Sequence, residues 1–315
     1  MTAASWLLAE NYAGLQAQGL GLAEAAGLAP ELRTLVRPPG WRWLSPRLWP
    51  DPLARFGAAL APPWPDIAIG CGGTGAVALA ALARRGIRSV QVQHPRMDPR
   101  RFDLVVVNTH DGLRGDNVIV VRTALHRVTP VRLAAAAEAW RARLAPGLPP
   151  LPRPLVAVLV GGSNGRFRLD RAVGTALGGA LAAMMVADGV GVMVTPSRRT
   201  APEVTAALRD AVTPHGGLVW DGTGENPYFG MLALADAIVV TEDSVSMLSE
   251  AVATSAPVLL AELPGASRRI RAFSAGLLAS GRVRRFAGRL ERWPTAPLDD
   301  TAAAGEELRR RLGLG

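Results

Sequence analysis

Short, uninterrupted Val/Ile/Leu runs recur along the chain, each closed by glycines or small polar residues and then by a helix-forming segment. The clearest are "LVAVLVGG" (155–162), "VGVMVTPS" (190–197), "DAIVVTE" (236–242) and "APVLLAEL" (256–263). A strand with one face in water alternates apolar and polar residues. A continuous run means a strand covered on both faces, hence a parallel sheet with helices on either side. The spacing predicts helices over about 170–187, 202–212, 227–235 and 245–254, with a further strand at "GLVWDG" (217–222). The same grammar holds earlier, in "SWLLAE" (5–10), "DIAIGCGG" (66–73), "SVQVQH" (89–94), "FDLVVVNTH" (102–110) and "NVIVVR" (117–122). Strand, polar loop and helix in repetition give right-handed crossovers and a doubly wound α/β sheet.

A chain of 315 residues is long for one such sheet. The proline-rich "LAPGLPPLPRP" (144–154) cannot form a helix interior and reads as a linker. The expected organisation is therefore two Rossmann-like domains, 1–148 and 149–298, facing across a cleft. A final helix, 299–315, packs back on the first domain. Ligands of such folds bind outside the carboxyl ends of the strands.

Composition narrows the function classes. Basic residues exceed acidic ones, 35 to 26, and every basic residue is arginine, as a GC-rich genome yields. Arginine's planar fork suits phosphates, so anionic ligands fit this chain. Nucleic acid does not, because aromatic residues make up only 5% and no recognition motif interleaves with the arginines. The single cysteine, Cys71, excludes an internal disulfide and a cysteine zinc site, and no His/Asp/Glu set has metal spacing. No signal peptide or 20-residue apolar span is read, so the expected location is cytoplasmic, with peripheral attachment to the inner membrane as an option. Tryptophans and arginines in 41–64 suit either a proline-braced loop or an interfacial patch for a lipid-linked, membrane-associated acceptor.

The strand-end loops carry the chemistry. In "VVTEDSVSMLSEA" (239–251), Glu242 and Asp243 close the strand and Ser244 caps the next helix, followed by Val245 and Ser246. A phosphate binds well at such a terminus, and Glu250, about two turns on, suits a ribose diol. In "VLVGGSNGRF", Gly161 and Gly162 allow close backbone approach while Ser163 and Asn164 supply donors. Ser197, Arg198 and Arg199 close another strand, the arginines as a diphosphate clamp. Asn226 and Tyr228 flank Pro227 at a helix start, where an aromatic contact to a nucleobase fits. In the first domain, His110 beside Asp111 is the best general base, because imidazole titrates near neutrality. Asn11, Gly14, Gln16 and the weaker candidate His94 form the acceptor side, while His126 caps or packs.

Together "GGSN", "TPSRRT", "ALHRVTP", the segment from Pro297 to Thr301 and above all "WDGTGENPYFGMLALADAIVVTEDSVSMLSEA" resemble the bacterial branch of the mitochondrial-fission Elm (elongated mitochondria) family. That family is similar in turn to glycosyltransferases of the GT-B fold. The resemblance implies a nucleotide-sugar substrate, UDP-linked, with no cofactor. Gly161, Gly162 and Ser163 match one donor-site feature of those enzymes; Ser244, Ser246 and Glu250 match another. It also implies an alternative, a non-catalytic scaffold for a protein partner such as a dynamin-like GTPase. The departure is "NYAGLQAQ" after the first strand, which lacks the histidine those enzymes place there.

Overall fold

The computed structural model of the protein describes residues 3–37, 40, 49, 51–144 and 151–314. Residues 145–150 of the expected linker, and 41–48 and 50 of the tryptophan-arginine stretch, lie outside the described residues. The first half runs β1 (Ser5–Ala9), α1 (Ala13–Ala25), β2 (Glu31–Thr34), α2 (Pro52–Phe56), β3 (Ile67–Cys71), α3 (Gly72–Ala83), β4 (Arg88–Val92), β5 (Leu104–Asn108), β6 (Val118–Val121) and α4 (Pro130–Leu144). The second runs β7 (Leu155–Val160), α5 (Arg171–Asp188), β8 (Gly191–Pro196), α6 (Pro202–Val212), β9 (Leu218–Val219), α7 (Tyr228–Leu234) and β10 (Ala237–Thr241). It ends with α8 (Val245–Val252), β11 (Val258–Ala261), α9 (Arg268–Ala279), β12 (Val283–Arg285) and α10 (Thr301–Leu312).

The chain forms two compact units: Met1–Arg127 with Asp299–Gly315, and Val128–Leu298. The first crossing thus falls after Arg127 rather than after residue 148. The cause is α4, which packs on α7 of the second unit and sets the Trp140 ring against Gly230.

Each unit holds one six-stranded sheet. The orders are β2-β1-β3-β4-β5-β6 and β12-β11-β10-β7-β8-β9, with every pairing parallel. Two-sided burial explains the continuous apolar runs. On β7, Val156, Val158 and Val160 join one core with α5 and α6, while Leu155, Ala157 and Leu159 join the other with α7 and α8. In each sheet, chain order reverses beside one strand, between β1 and β3 and between β7 and β10. Those reversals open the crevices where ligands of doubly wound sheets bind.

The carboxyl-terminal helix α10 lies on α1, closing the first core with Ala304 and Leu308 beside Leu22 and Ala23. Asp300 anchors its start, pairing with Arg122 Nη2 at 2.5 Å, and Asp299 lies 3.3 Å from His126 Nε2. His126 is buried, as packing requires. A Cβ added at Gly305 would sit 2.5 Å from Ala25 Cβ and 2.6 Å from its carbonyl carbon. Gly→Ala in a helix ordinarily gains about 0.5–1 kcal/mol, but overpacking against backbone costs about 1–3 kcal/mol. We expect Gly305→Ala to lose about 1–2 kcal/mol in urea unfolding; a stabilised variant would show that α10 can move off α1 freely.

Candidate functional site

The reversal point of the second sheet is built from three strand-end loops tied to one another. β7 ends at Val160, and the Gly161 amide donates to Thr241 Oγ1 at the end of β10 (2.8 Å). The Gly162 amide donates to Asp243 Oδ2 (3.0 Å) and the Thr241 hydroxyl to Asp243 Oδ1 (2.7 Å). From the loop after β8, Arg199 Nη2 reaches the same carboxylate at 2.8 Å, and its Nη1 donates to the Gly162 carbonyl at 3.1 Å. Ser197 Oγ donates to the Gly161 carbonyl at 2.9 Å, and Thr200 Oγ1 donates to it as well. Asp243 is thus a wholly buried carboxylate at the centre of the knot.

Both glycines are demanded by space. A Cβ at Gly161 would lie 2.2 Å from the Asp243 carboxylate, and one at Gly162 2.2 Å from the Arg199 carbonyl oxygen. Ser163 Oγ accepts the Leu169 amide (2.9 Å), and Asn164 Oδ1 accepts the amides of Arg166 and Phe167 (3.1 and 3.0 Å). These two side chains therefore shape the loop. Arg199 is turned onto Asp243, whereas Arg198 is exposed and has neither a hydrogen bond nor an ion pair among the described residues.

α8 begins where the sequence places it. Ser244 has extended backbone, and its Oγ accepts the Met247 amide at 3.3 Å. The positive end of the α8 dipole faces the reversal point, with Val245 and Ser246 in its first turn. Glu242 turns toward α9, accepting from Ser274 Oγ at 3.3 Å. Asn226 Oδ1 accepts the Tyr228 amide at 3.0 Å, which starts α7, and the Tyr228 hydroxyl donates to Glu250. Burial pushes the Glu250 carboxyl up to about 7, while the Tyr228 hydrogen bond pulls the other way. The Tyr228 phenol is raised well above 10 by burial and by the Glu250 charge. The far end of α8 is held by buried Arg282, which donates to the carbonyls of Val252 (3.0 Å), Thr254 (2.7 Å) and Ala256 (3.2 Å).

In the first unit, His110 and Asp111 lie in a tight turn, Thr109–Asp111, after β5. Asp111 Oδ2 accepts the Asn108 amide at 3.2 Å, so this carboxylate closes the turn. His94 Nδ1 accepts the Arg96 amide at 2.9 Å. Asn11 is exposed before α1; Gly14 and Gln16 sit in its first turn, and Gln16 Nε2 reaches the Glu10 carbonyl at 3.5 Å. The polar cluster that the residue pattern did not single out lies at this sheet's own reversal point. Glu10 Oε2 pairs with Arg37 Nη2 (2.9 Å) and accepts from Thr74 Oγ1 (2.8 Å), to which Arg37 Nε donates at 3.1 Å. Its signal was a carboxylate ending the β1 run and a threonine after the Gly72-Gly73 pair. Among the described residues no three His, Cys, Asp or Glu side chains are grouped to hold a metal ion. No helix among them is long and apolar enough to cross a membrane.

The fold is shared with solved structures of an epimerase and a glycosyltransferase. The UDP-GlcNAc 2-epimerase of Methanocaldococcus jannaschii, in complex with UDP-GlcNAc and UDP, superposes with a TM-score of 0.61 at 13% identity, over 99% of each chain. The glycosyltransferase SnogD of Streptomyces nogalater gives 0.52 at 15% identity, over 100% of this chain and 96% of that one. At these identities the likeness establishes the GT-B-like α/β fold alone. An uncharacterized protein of Rickettsia prowazekii is 28% identical over 155 residues, 48% of this chain and 42% of that protein. The mitochondrial fission protein ELM1 of Arabidopsis thaliana is 32% identical over 278 residues, 79% of this chain. The chain spans 64% of that protein's length. A family model described as mitochondrial fission ELM1 matches residues 13–312, and the chain accordingly belongs to the mitochondrial fission ELM1 family.

Proposed function

We propose that the second unit binds a nucleotide-diphosphate sugar, UDP-linked, at the carboxyl ends of β7, β8 and β10, and that the protein transfers the sugar to an acceptor without a cofactor. The observation that carries this reading is the Ser244-capped start of α8 at the sheet's reversal point, with Glu250 and Tyr228 joined farther along. Phosphates at the helix terminus and a ribose diol at Glu250 use both features at once. Neutralising the departing diphosphate is the largest contribution such a site can make. His110 takes the acceptor proton, Asp111 is the alternative base, and Asn11, Gly14, Gln16 and His94 belong to the acceptor side. The acceptor class that suits an arginine-rich chain is a lipid-linked one, reached from the cytoplasm at the inner membrane. A fold shared with an epimerase solved with UDP-GlcNAc and UDP supports the donor class.

The test is thermal stability against UDP-, GDP-, ADP- and CMP-sugars. A ligand at about 100 times its dissociation constant adds roughly 2.7 kcal/mol. We expect stabilisation by UDP-sugars, lost in Glu250→Ala. A flat panel would sink the reading.

One observation favours a second reading. Asp243 already takes the Gly162 amide and Arg199, groups a phosphate would otherwise use. Donors spent inside the protein are not offered to a ligand, as a scaffold that recruits a protein partner would allow, and the Arabidopsis relative is named for mitochondrial fission. Capture of a dynamin-like GTPase by a protein that binds no nucleotide would decide for it.

A further inference from the structure

With Arg199 held by Asp243, the cationic grip on a phosphate has to come from elsewhere in the second unit. A hollow of about 440 Å³ opens where the loop after β7 meets the loop after β11. That is within the range of small-ligand sites. An antiparallel bridge between Phe167 and Gly265 joins the two loops. The Arg168 amide donates to the Pro264 carbonyl at 2.8 Å, and the Ala266 amide to the Arg166 carbonyl at 3.0 Å. Ser163, beside the Gly161-Gly162 turn, and buried Phe167 line the hollow together with Arg166 and Arg168.

Several arginines are taken up by acids: Arg33 by Glu31, Arg127 by Glu24, Arg285 by Glu262, Arg289 by Asp188. Arg166 is not. Its backbone amide is bonded to Asn164, but its exposed guanidinium has no hydrogen bond or ion pair among the described residues, although it lines a concavity. Arg168 reaches Asp170 only through Nε, at 3.2 Å. Just beyond Gly265, α9 opens with Arg268 and no acid in its first turn. A cation there opposes the helix dipole, an arrangement that an anion would relieve. A concavity rimmed by one sign of charge focuses its field on such a ligand.

We infer that this hollow is a diphosphate subsite in which Arg166 and Arg168 grip phosphate oxygens through their guanidinium forks. The inference rests on the nucleotide-diphosphate-sugar reading and moves the grip expected of Arg198 and Arg199 to the loop after β7.

Titration calorimetry with inorganic pyrophosphate and with UDP tests it, using the full chain, Arg166→Gln/Arg168→Gln and Arg198→Gln. The double variant should bind both probes about 100-fold more weakly, since it loses two charge-assisted contacts. Arg198→Gln should stay within about twofold of the parent. All three side chains are exposed, so thermal melts serve as the folding control. Pyrophosphate bound equally by parent and double variant overturns the subsite, as does a full loss in Arg198→Gln. Arginine-dependent pyrophosphate binding with no gain for UDP keeps the subsite and overturns the nucleotide reading. UDP binding indifferent to both arginines does the reverse, and no binding of either probe overturns both.

Discussion

Asp243→Ala unfolds at markedly lower denaturant than the parent, with a loss of about 3 kcal/mol in the free energy of unfolding. The carboxylate is wholly buried and collects the Gly162 amide, the Thr241 hydroxyl and Arg199. Removing it leaves a buried amide and hydroxyl unpaired, at about 1–3 kcal/mol each. Arg199, whose side chain is 41% exposed, returns to water and adds little. Asp243→Asn keeps the shape and one acceptor oxygen, so its loss should be roughly half as large. Paired with Arg199→Ala in a double-mutant cycle, the Asp243–Arg199 coupling should be about 0.5–1 kcal/mol, well below the whole. Urea unfolding checks all three. A loss under about 1 kcal/mol for Asp243→Ala would mean that the loops do not depend on the knot.

This role was not legible in "TEDSVS", and the reason is specific. Acid after a buried strand reads equally as a helix lead-in or a ligand contact. Only the absence of a Cβ at Gly161 leaves room for Asp243 to turn inward, and only its absence at Gly162 lets Arg199 close on the same loop. The sheets themselves were legible, because two-sided burial leaves continuous runs such as "LVAVLV" and "AIVV". α5, α6, α7 and α8 fall close to their expected spans for the same reason: each follows a run and a cap or proline. β2 carries no such signal, being a four-residue edge strand that is largely exposed. α4 carries little, since its alanines fit any face, and its assignment to the second unit depends on Trp140 against Gly230. The Glu10–Arg37–Thr74 cluster joins residues from three separate strand ends, so only the strand order brings it together.

Glu250→Gln gains stability over the parent as pH rises, by up to about 3 kcal/mol at pH 8. Burial lifts the Glu250 carboxyl from 4.5 to about 7 in the folded protein. Below pH 4.5 both states hold the proton, and the group leaves stability unchanged. Between 4.5 and 7 the unfolded chain releases its proton while the folded one keeps it, so the parent loses stability with rising pH; above 7 the penalty is constant. Each unit of that shift is worth about 1.36 kcal/mol. Glutamine still accepts from the Tyr228 hydroxyl and carries no charge, so the variant escapes the penalty. Urea unfolding of both proteins at about pH 4, 6 and 8 should show curves that coincide at the acid end and separate toward the basic end. Parallel curves would mean that folding does not raise the Glu250 carboxyl at all. The same proton bears on the proposed ligand. A ribose diol donates to a carboxylate, so UDP should bind the parent more tightly as pH rises through about 7, releasing a proton. Binding by Glu250→Gln should be weak and indifferent to pH over that range. UDP affinity that is equal in both proteins and flat with pH would separate this buried carboxyl from any nucleotide site.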